Sequence, residues 1–240
     1  GKYIIVKYTA KLNAGARLGQ QIPENTNEVF LTYSSDPNDA NATSNTVTDK
    51  VVVFTYELDP TKIDGTNSNG LKGAEFKLKN SKDKFVTVDD SSKVTGWAND
   101  QKSGSVLTSG DKGLFKVIGL DAGTYTLVET KAPEGYADLT NKEIPITITA
   151  DTSNGQNGAG AATELKNLAI STTADPTIAV PDTQSDLANG IVKLTIKNYK
   201  PSELPSTGGM GTKLFYVIGG LLMAGAVIVL VIKKRRSSAE

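Results

Sequence analysis

The side chains that usually carry enzymatic chemistry are sparse in this sequence. Its 240 residues include no histidine and no cysteine. That removes the commonest general base and the commonest transition-metal ligand, and it rules out disulfides as reinforcement. Ser81-Lys82-Asp83-Lys84 has the S-x-x-K spacing of some hydrolases, but no K-T-G or S-D-N partner accompanies it, so it reads as a polar turn. The oxygen-rich run Asp64 to Gly70 lacks calcium-loop spacing and the closing glutamate, and reads as a hairpin turn. No metal site and no cofactor are expected. Lysine plus arginine is 26 and aspartate plus glutamate is 26. The zero balance argues against nucleic acid as a partner, which needs a basic excess.

The clearest chemical signal lies at the C-terminus, where the chain is acted upon. Leu214 to Ile232 is apolar or small throughout and, as a helix, is long enough to span a bilayer. Lys233, Lys234, Arg235 and Arg236 follow directly. The positive-inside preference keeps this tail in the cytoplasm and places everything before residue 213 outside. Upstream stands Leu204-Pro205-Ser206-Thr207-Gly208. Pro205 biases Leu204 toward an extended conformation, and Gly208 and Gly209 leave room around the backbone. Pentapeptide, apolar span and basic tail in this order resemble the LPxTG cell-wall sorting signal. The resemblance implies that a sortase cysteine attacks the Thr207 carbonyl and releases Gly208 onward. An amine of another subunit or of the peptidoglycan precursor then resolves the acyl-enzyme.

Strand signals dominate the rest of the chain. Tyr3–Tyr8, Glu28–Tyr33, Val51–Leu58, Glu75–Leu78, Leu114–Val117, Thr124–Glu129, Ile144–Thr149 and Ile191–Ile196 are β-branched or aromatic runs bounded by turn residues. No long helical period precedes the membrane span. The class is all-β, and short strands between turns favour a sandwich. A boundary falls near residue 55. Residues 1–54 read as the last strands of one sandwich domain, 55–200 as a complete second one and 201–240 as the sorting region. Asp151 to Asn189, rich in small and polar residues, reads as an inserted loop. The start at Gly1, with no signal peptide in view, leads us to expect the C-terminal part of a longer exported protein.

Tyr125-Thr126-Leu127-Val128-Glu129-Thr130-Lys131-Ala132-Pro133-Glu134-Gly135-Tyr136 resembles the E-box of pilin and collagen-adhesin B-type (CnaB) domains, and the turn Gly119-Leu120-Asp121-Ala122-Gly123 precedes it. Leu71-Lys72-Gly73-Ala74-Glu75-Phe76 is similar to that family's LxGAxF strand, Leu58 to Lys62 to its first strand and Leu194 to Asn198 to its last. The resemblance covers about residues 55–200 and implies an immunoglobulin-like sandwich of the CnaB type. It also implies a spontaneous isopeptide bond between Lys62 and Asn198, assisted by Glu129. Burial would push the lysine toward its neutral, nucleophilic form and the glutamate toward its protonated form. Lys72, Lys77 and Lys197 are competing nucleophiles, and Pro60 is an awkward residue in a first strand. Residues 6–13 and 25–34 resemble the end of a pilin middle domain. There Asn27 would be an isopeptide acceptor for a lysine upstream of Gly1.

Taken together, these features resemble a pilus backbone subunit. The expected partners are sortase, other pilin subunits, the wall precursor and, before cleavage, the membrane. The alternatives are an anchored adhesin or ancillary pilin with a host ligand, and a wall-anchored enzyme. The missing His, Cys and metal constellation weigh against the enzyme.

Overall fold

The computed structural model describes residues 7, 9, 12, 15–19, 25–152, 164–201 and 211–237. The chain divides into two units, residues 1–200 and 201–240. The described strands of the first unit are β1 (Thr26–Val29), β2 (Thr32–Ser34), β3 (Thr43–Asn45), β4 (Asp49–Val52), β5 (Tyr56–Asp64), β6 (Glu75–Asn80), β7 (Phe85–Val88), β8 (Val94–Ala98), β9 (Leu107–Thr108), β10 (Val117–Leu120), β11 (Gly123–Lys131), β12 (Glu143–Thr152), β13 (Leu165–Thr172), β14 (Ala179–Pro181) and β15 (Ile191–Asn198). The second unit holds helix α1 (Gly211–Ser237).

Two sheets enclose the core. One has the order β10-β5-β15-β14; the other runs β13-β12-β11-β6-β7-β8, with β9 added beside β6. All pairs are antiparallel except β5 and β15, the first and last strands of the sandwich, which lie side by side and parallel. Alternation explains the layers, because every second side chain of a strand faces the same way. Leu58, Val192, Leu194 and Ile196 from one sheet meet Phe76, Leu78, Leu127, Ile144, Ile146 and Ile148 from the other, all buried.

Pro60 sits inside β5 at an interruption of the ladder. Leu58 pairs with Val117, Thr61 makes an isolated bridge to Leu114, and between them Pro60 only accepts a hydrogen bond, from Phe115 N. A proline is tolerated where no ladder donor is required.

The expected loop at 151–189 is corrected. β12 continues to Thr152, and within the supposed insertion β13 pairs with it from Ile146↔Thr172 to Thr152↔Leu165. Leu165, Leu168 and Ile170 join the core. Three apolar positions among small polar neighbours read weakly as a strand, and an existing edge at β12 supplies the hydrogen bonds that select it. β14 then pairs with β15. Other expected runs shift. Glu28–Tyr33 divides into β1 and β2, Val51–Leu58 into β4 and β5, and β10 starts at Val117 rather than Leu114. Most of Tyr3–Tyr8 lies outside the described residues.

Residues 26–52 form a long two-stranded arm, with β1 on β4 and β2 on β3. Mutual bonds between Leu31 and Thr46 bridge the two parts: the Leu31 N–H donates to Thr46 Oγ1 and the Thr46 N–H to the Leu31 carbonyl. Val52 and Phe54 lead from the arm into the sandwich core. In the second unit, Phe215–Lys234 is a helical stretch of 20 residues that is apolar or small up to Ile232 and ends on Lys233 and Lys234, none of it buried by protein. That length matches a bilayer core.

Candidate functional site

Strand alternation turns Tyr56, Leu58, Pro60, Lys62 and Asp64 toward the interior, while Ile63 is only half buried. Lys62 therefore occupies a core position that an apolar residue would normally fill. On β15 the same alternation buries Val192, Leu194, Ile196 and Asn198. The parallel register sets Ile196 beside Lys62 and Asn198 beside Asp64. Tyr125, Leu127 and Glu129 face them from β11 in the opposite sheet.

The three polar side chains meet. Lys62 is fully buried, and Glu129 and Asn198 are each 1% exposed. Lys62 Nζ lies 3.0 Å from Glu129 Oε1 and donates a hydrogen bond to Asn198 Oδ1. The Asn198 Nδ2 donates to the Ala137 carbonyl at 2.8 Å. Glu129 Oε2 accepts the Leu139 N–H at 3.2 Å, and Oε1 has no partner but the ammonium among the described residues. The Phe76 ring, stacked on Phe115 at 4.8 Å, stands 5.5 Å from Nζ and keeps water away on that side.

Electrostatics follow from this burial. Desolvation pulls the Lys62 ammonium down to about 8, and the nearby Glu129 only partly restores it. At neutral pH about a tenth of such a lysine is a neutral amine, against well under a thousandth for an exposed one. An amine that is partly neutral, an amide and a carboxylate thus share a buried pocket.

The neighbourhood of Lys62 is shaped by Gly113. Its carbonyl accepts the Lys62 N–H at 2.8 Å, and its φ is +77°. A Cβ there would stand 1.9 Å from the Lys62 carbonyl oxygen, so only glycine fits. At the other end of the strand, the Asp64 carboxylate is held below its ordinary range, chiefly by the Thr66 N–H and also by the Tyr136 hydroxyl.

The competing lysines stand elsewhere. Lys72 is exposed and pairs with Asp111, Lys77 donates to the Gly104 carbonyl, and Lys197 donates to the Pro176 carbonyl at 3.1 Å. Asn27 lies in the exposed part of β1 opposite Val51, away from the Lys62 cluster. Leu204, Pro205, Ser206, Thr207 and Gly208 fall outside the described residues. Sequence reasoning missed the Ala137 carbonyl, the Leu139 N–H and Phe76. The first two are main-chain groups, which no residue type announces.

Residues 57–159 match the SpaA family, described as a prealbumin-like fold domain, and residues 196–238 match the LPXTG cell wall anchor motif. The anchor match and the apolar helix α1 make the chain a cell-wall-anchored surface protein, and residues 57–159 are similar to a SpaA domain. It is 24% identical to the trypsin-resistant surface T6 protein of Streptococcus pyogenes serotype M6, over 97% of this chain and 48% of that one. The pilus 2b backbone protein of group B streptococcus is 30% identical. It superposes with a TM-score of 0.53 over 81% of this chain and 57% of its own. The chain thus spans about half the length of the relatives it matches.

Proposed function

We propose that this chain is a structural subunit of a covalently polymerised pilus, processed by sortase between Thr207 and Gly208 and braced by a Lys62–Asn198 isopeptide bond. The observation that carries the second part is the closed cluster of Lys62, Glu129 and Asn198 joining the first and last strands of the sandwich. In this reading the neutral Lys62 amine attacks Asn198 Cγ while Glu129 takes up its proton and polarises the amide. The Nζ–Cγ bond forms, the Cγ–Nδ2 bond breaks, the proton passes to the leaving nitrogen and ammonia departs. The crosslink ties together two neighbouring parallel strands, so tension applied at the chain ends cannot peel them apart. That property suits a shaft that bears load and contains no cysteine.

The homology to a pilus backbone protein and the wall anchor support the polymer reading. Sortase, further pilin subunits and the peptidoglycan precursor are its partners, with the membrane holding the uncleaved precursor through α1. Residues 1–54 belong, in this view, to a middle domain in which Asn27 is the acceptor of a second crosslink. The test is twofold. The intact mass of the folded chain should fall one ammonia short of its sequence mass. Cell-wall extracts should show a ladder of detergent-resistant, covalent high-mass species. A full sequence mass removes the crosslink, and a single wall-linked monomer removes the polymer.

A further inference from the structure

We propose that Tyr136 is a positioning residue for the crosslinking reaction, holding the 132–139 loop so that the Ala137 carbonyl dictates which way the Asn198 amide faces. This rests on the isopeptide reading above. A primary amide fits its pocket in two nearly equal orientations. Only one presents Oδ1 to Lys62 and turns the leaving nitrogen away from it. The Nδ2···O contact with Ala137, at 2.8 Å, selects that orientation. Turned over, the amide would set its oxygen against the Ala137 carbonyl oxygen and its N–H donors against the Lys62 ammonium. Both contacts are repulsive.

Ala137 is itself held from both sides. Its N–H donates to the carbonyl of Tyr199, the residue after Asn198, at 3.0 Å. The preceding residue, Tyr136, donates its hydroxyl to Asp64 Oδ2 at 2.9 Å. Asp64 lies two positions past Lys62, and its other oxygen accepts the Thr66 N–H at 2.8 Å. On the far side of Ala137, the Leu139 N–H reaches Glu129 Oε2. One short loop is therefore stitched to the ends of all three strands that carry the reacting groups, each stitch within two residues of one of them. The Tyr136 hydroxyl is the stitch to the lysine strand. Ala137 is exposed while Asn198 is buried, so the leaving nitrogen lies directly beneath the loop. As Nζ–Cγ forms and Cγ–Nδ2 breaks, ammonia has this short route to solvent. Tyr136 touches none of the reacting atoms; it acts through Ala137.

The experiment follows the reaction as it happens. The full chain is recovered unfolded from inclusion bodies and refolded by dilution into detergent. Intact mass reports ammonia loss with time, and fluorescence of the single tryptophan, Trp97, stacked on Tyr125 in the sandwich, reports folding. Tyr136→Phe removes only the hydroxyl. It should fold at the wild-type rate and lose ammonia roughly five- to tenfold more slowly, the factor one net hydrogen bond is worth. Asp64→Ala should slow the reaction as well, and the double variant should react no more slowly than Asp64→Ala alone, as coupled partners do. The pH midpoint of the rate should stay where Lys62 sets it while the plateau falls. Ammonia loss at the wild-type rate in Tyr136→Phe would overturn the proposal. So would a slowing fully accounted for by slower folding, a shifted pH midpoint, or additive effects in the double variant. If the wild-type chain loses no ammonia, the isopeptide reading itself fails; if it does and Tyr136→Phe keeps pace, only the role of Tyr136 fails.

Discussion

Replacing Asn198 by alanine would isolate the value of the proposed crosslink. The substitution removes the acceptor yet leaves the Lys62–Glu129 ion pair, at 3.0 Å, in place. The bond would close a loop of 136 residues. If chain-entropy reasoning for disulfides transfers to this bond, closing such a loop stabilises the fold by about 5 kcal/mol. Unfolding a sandwich the size of residues 55–200 carries an entropy of about 0.3 kcal/mol/K, so the midpoint should drop by about 16 °C. Lys62→Ala should be worse. It deletes the same bond and strands the Glu129 carboxylate, whose Oε1 has only the ammonium for company among the described residues. Breaking a buried pair in this way costs about 3–5 kcal/mol more. The assay is paired: intact mass establishes that each variant lacks the ammonia deficit, and calorimetry ranks wild type above Asn198→Ala above Lys62→Ala. A deficit that survives in either variant refutes the assignment of the bond. Equal melting of wild type and Asn198→Ala refutes the argument that the crosslink acts by constraining the unfolded chain.

Four further outcomes follow. The crosslinking rate should climb about tenfold per pH unit below 8 and level off above it, because Lys62 in the unreacted fold titrates near 8; a rate that is flat from pH 6 to 9 contradicts a neutral-amine nucleophile. In the uncrosslinked Asn198→Ala chain, the folded lysine loses its proton before the unfolded one, so stability should rise with pH from about 8 until, near 10, the unfolded state begins to lose the protons of Tyr56 and Tyr125, whose phenols burial raises to about 12, as denaturant titrations can check. A cognate sortase should yield a product ending at Thr207 and leave Thr207→Ala uncut. Gly113→Ala forces a Cβ to 1.9 Å from the Lys62 carbonyl at a φ of +77°, and should lower stability by about 1–3 kcal/mol and delay ammonia loss.

Much of the fold was legible because alternation leaves a trace in composition. Tyr125, Leu127 and Glu129 sit two apart, as do Val192, Leu194, Ile196 and Asn198, and the structure buries both rows. β13 was not legible. Its Leu165, Leu168 and Ile170 are set among small polar residues, and only the open edge of β12 makes that segment a strand. Pro60 argued against a strand until the broken ladder beside Leu114 and Phe115 removed the need for its missing donor. In the arm, Glu28–Tyr33 reads as one strand but divides into β1 and β2 around Leu31, which bonds to Thr46, and the sequence reading named no strand at β3.

The sequence by itself determined what lies next to what along the chain. It specified the LPSTG pentapeptide, the apolar span and the basic tail, because each of these is a contiguous run of residues. It also supplied a lysine, a glutamate and an asparagine in strands, each at a parity that alternation could turn inward. Only the tertiary structure decided that the three inward directions converge. The parallel pairing of β5 with β15 joins residues 136 positions apart, and the facing sheet sets Glu129 3.0 Å from Lys62. The lowered lysine pKa belongs to that convergence as well, since desolvation is a property of the assembled core and of no residue alone. The same holds for the Ala137 carbonyl. A main-chain oxygen is chemically identical at every position, and the fold alone selects which one meets the amide of Asn198.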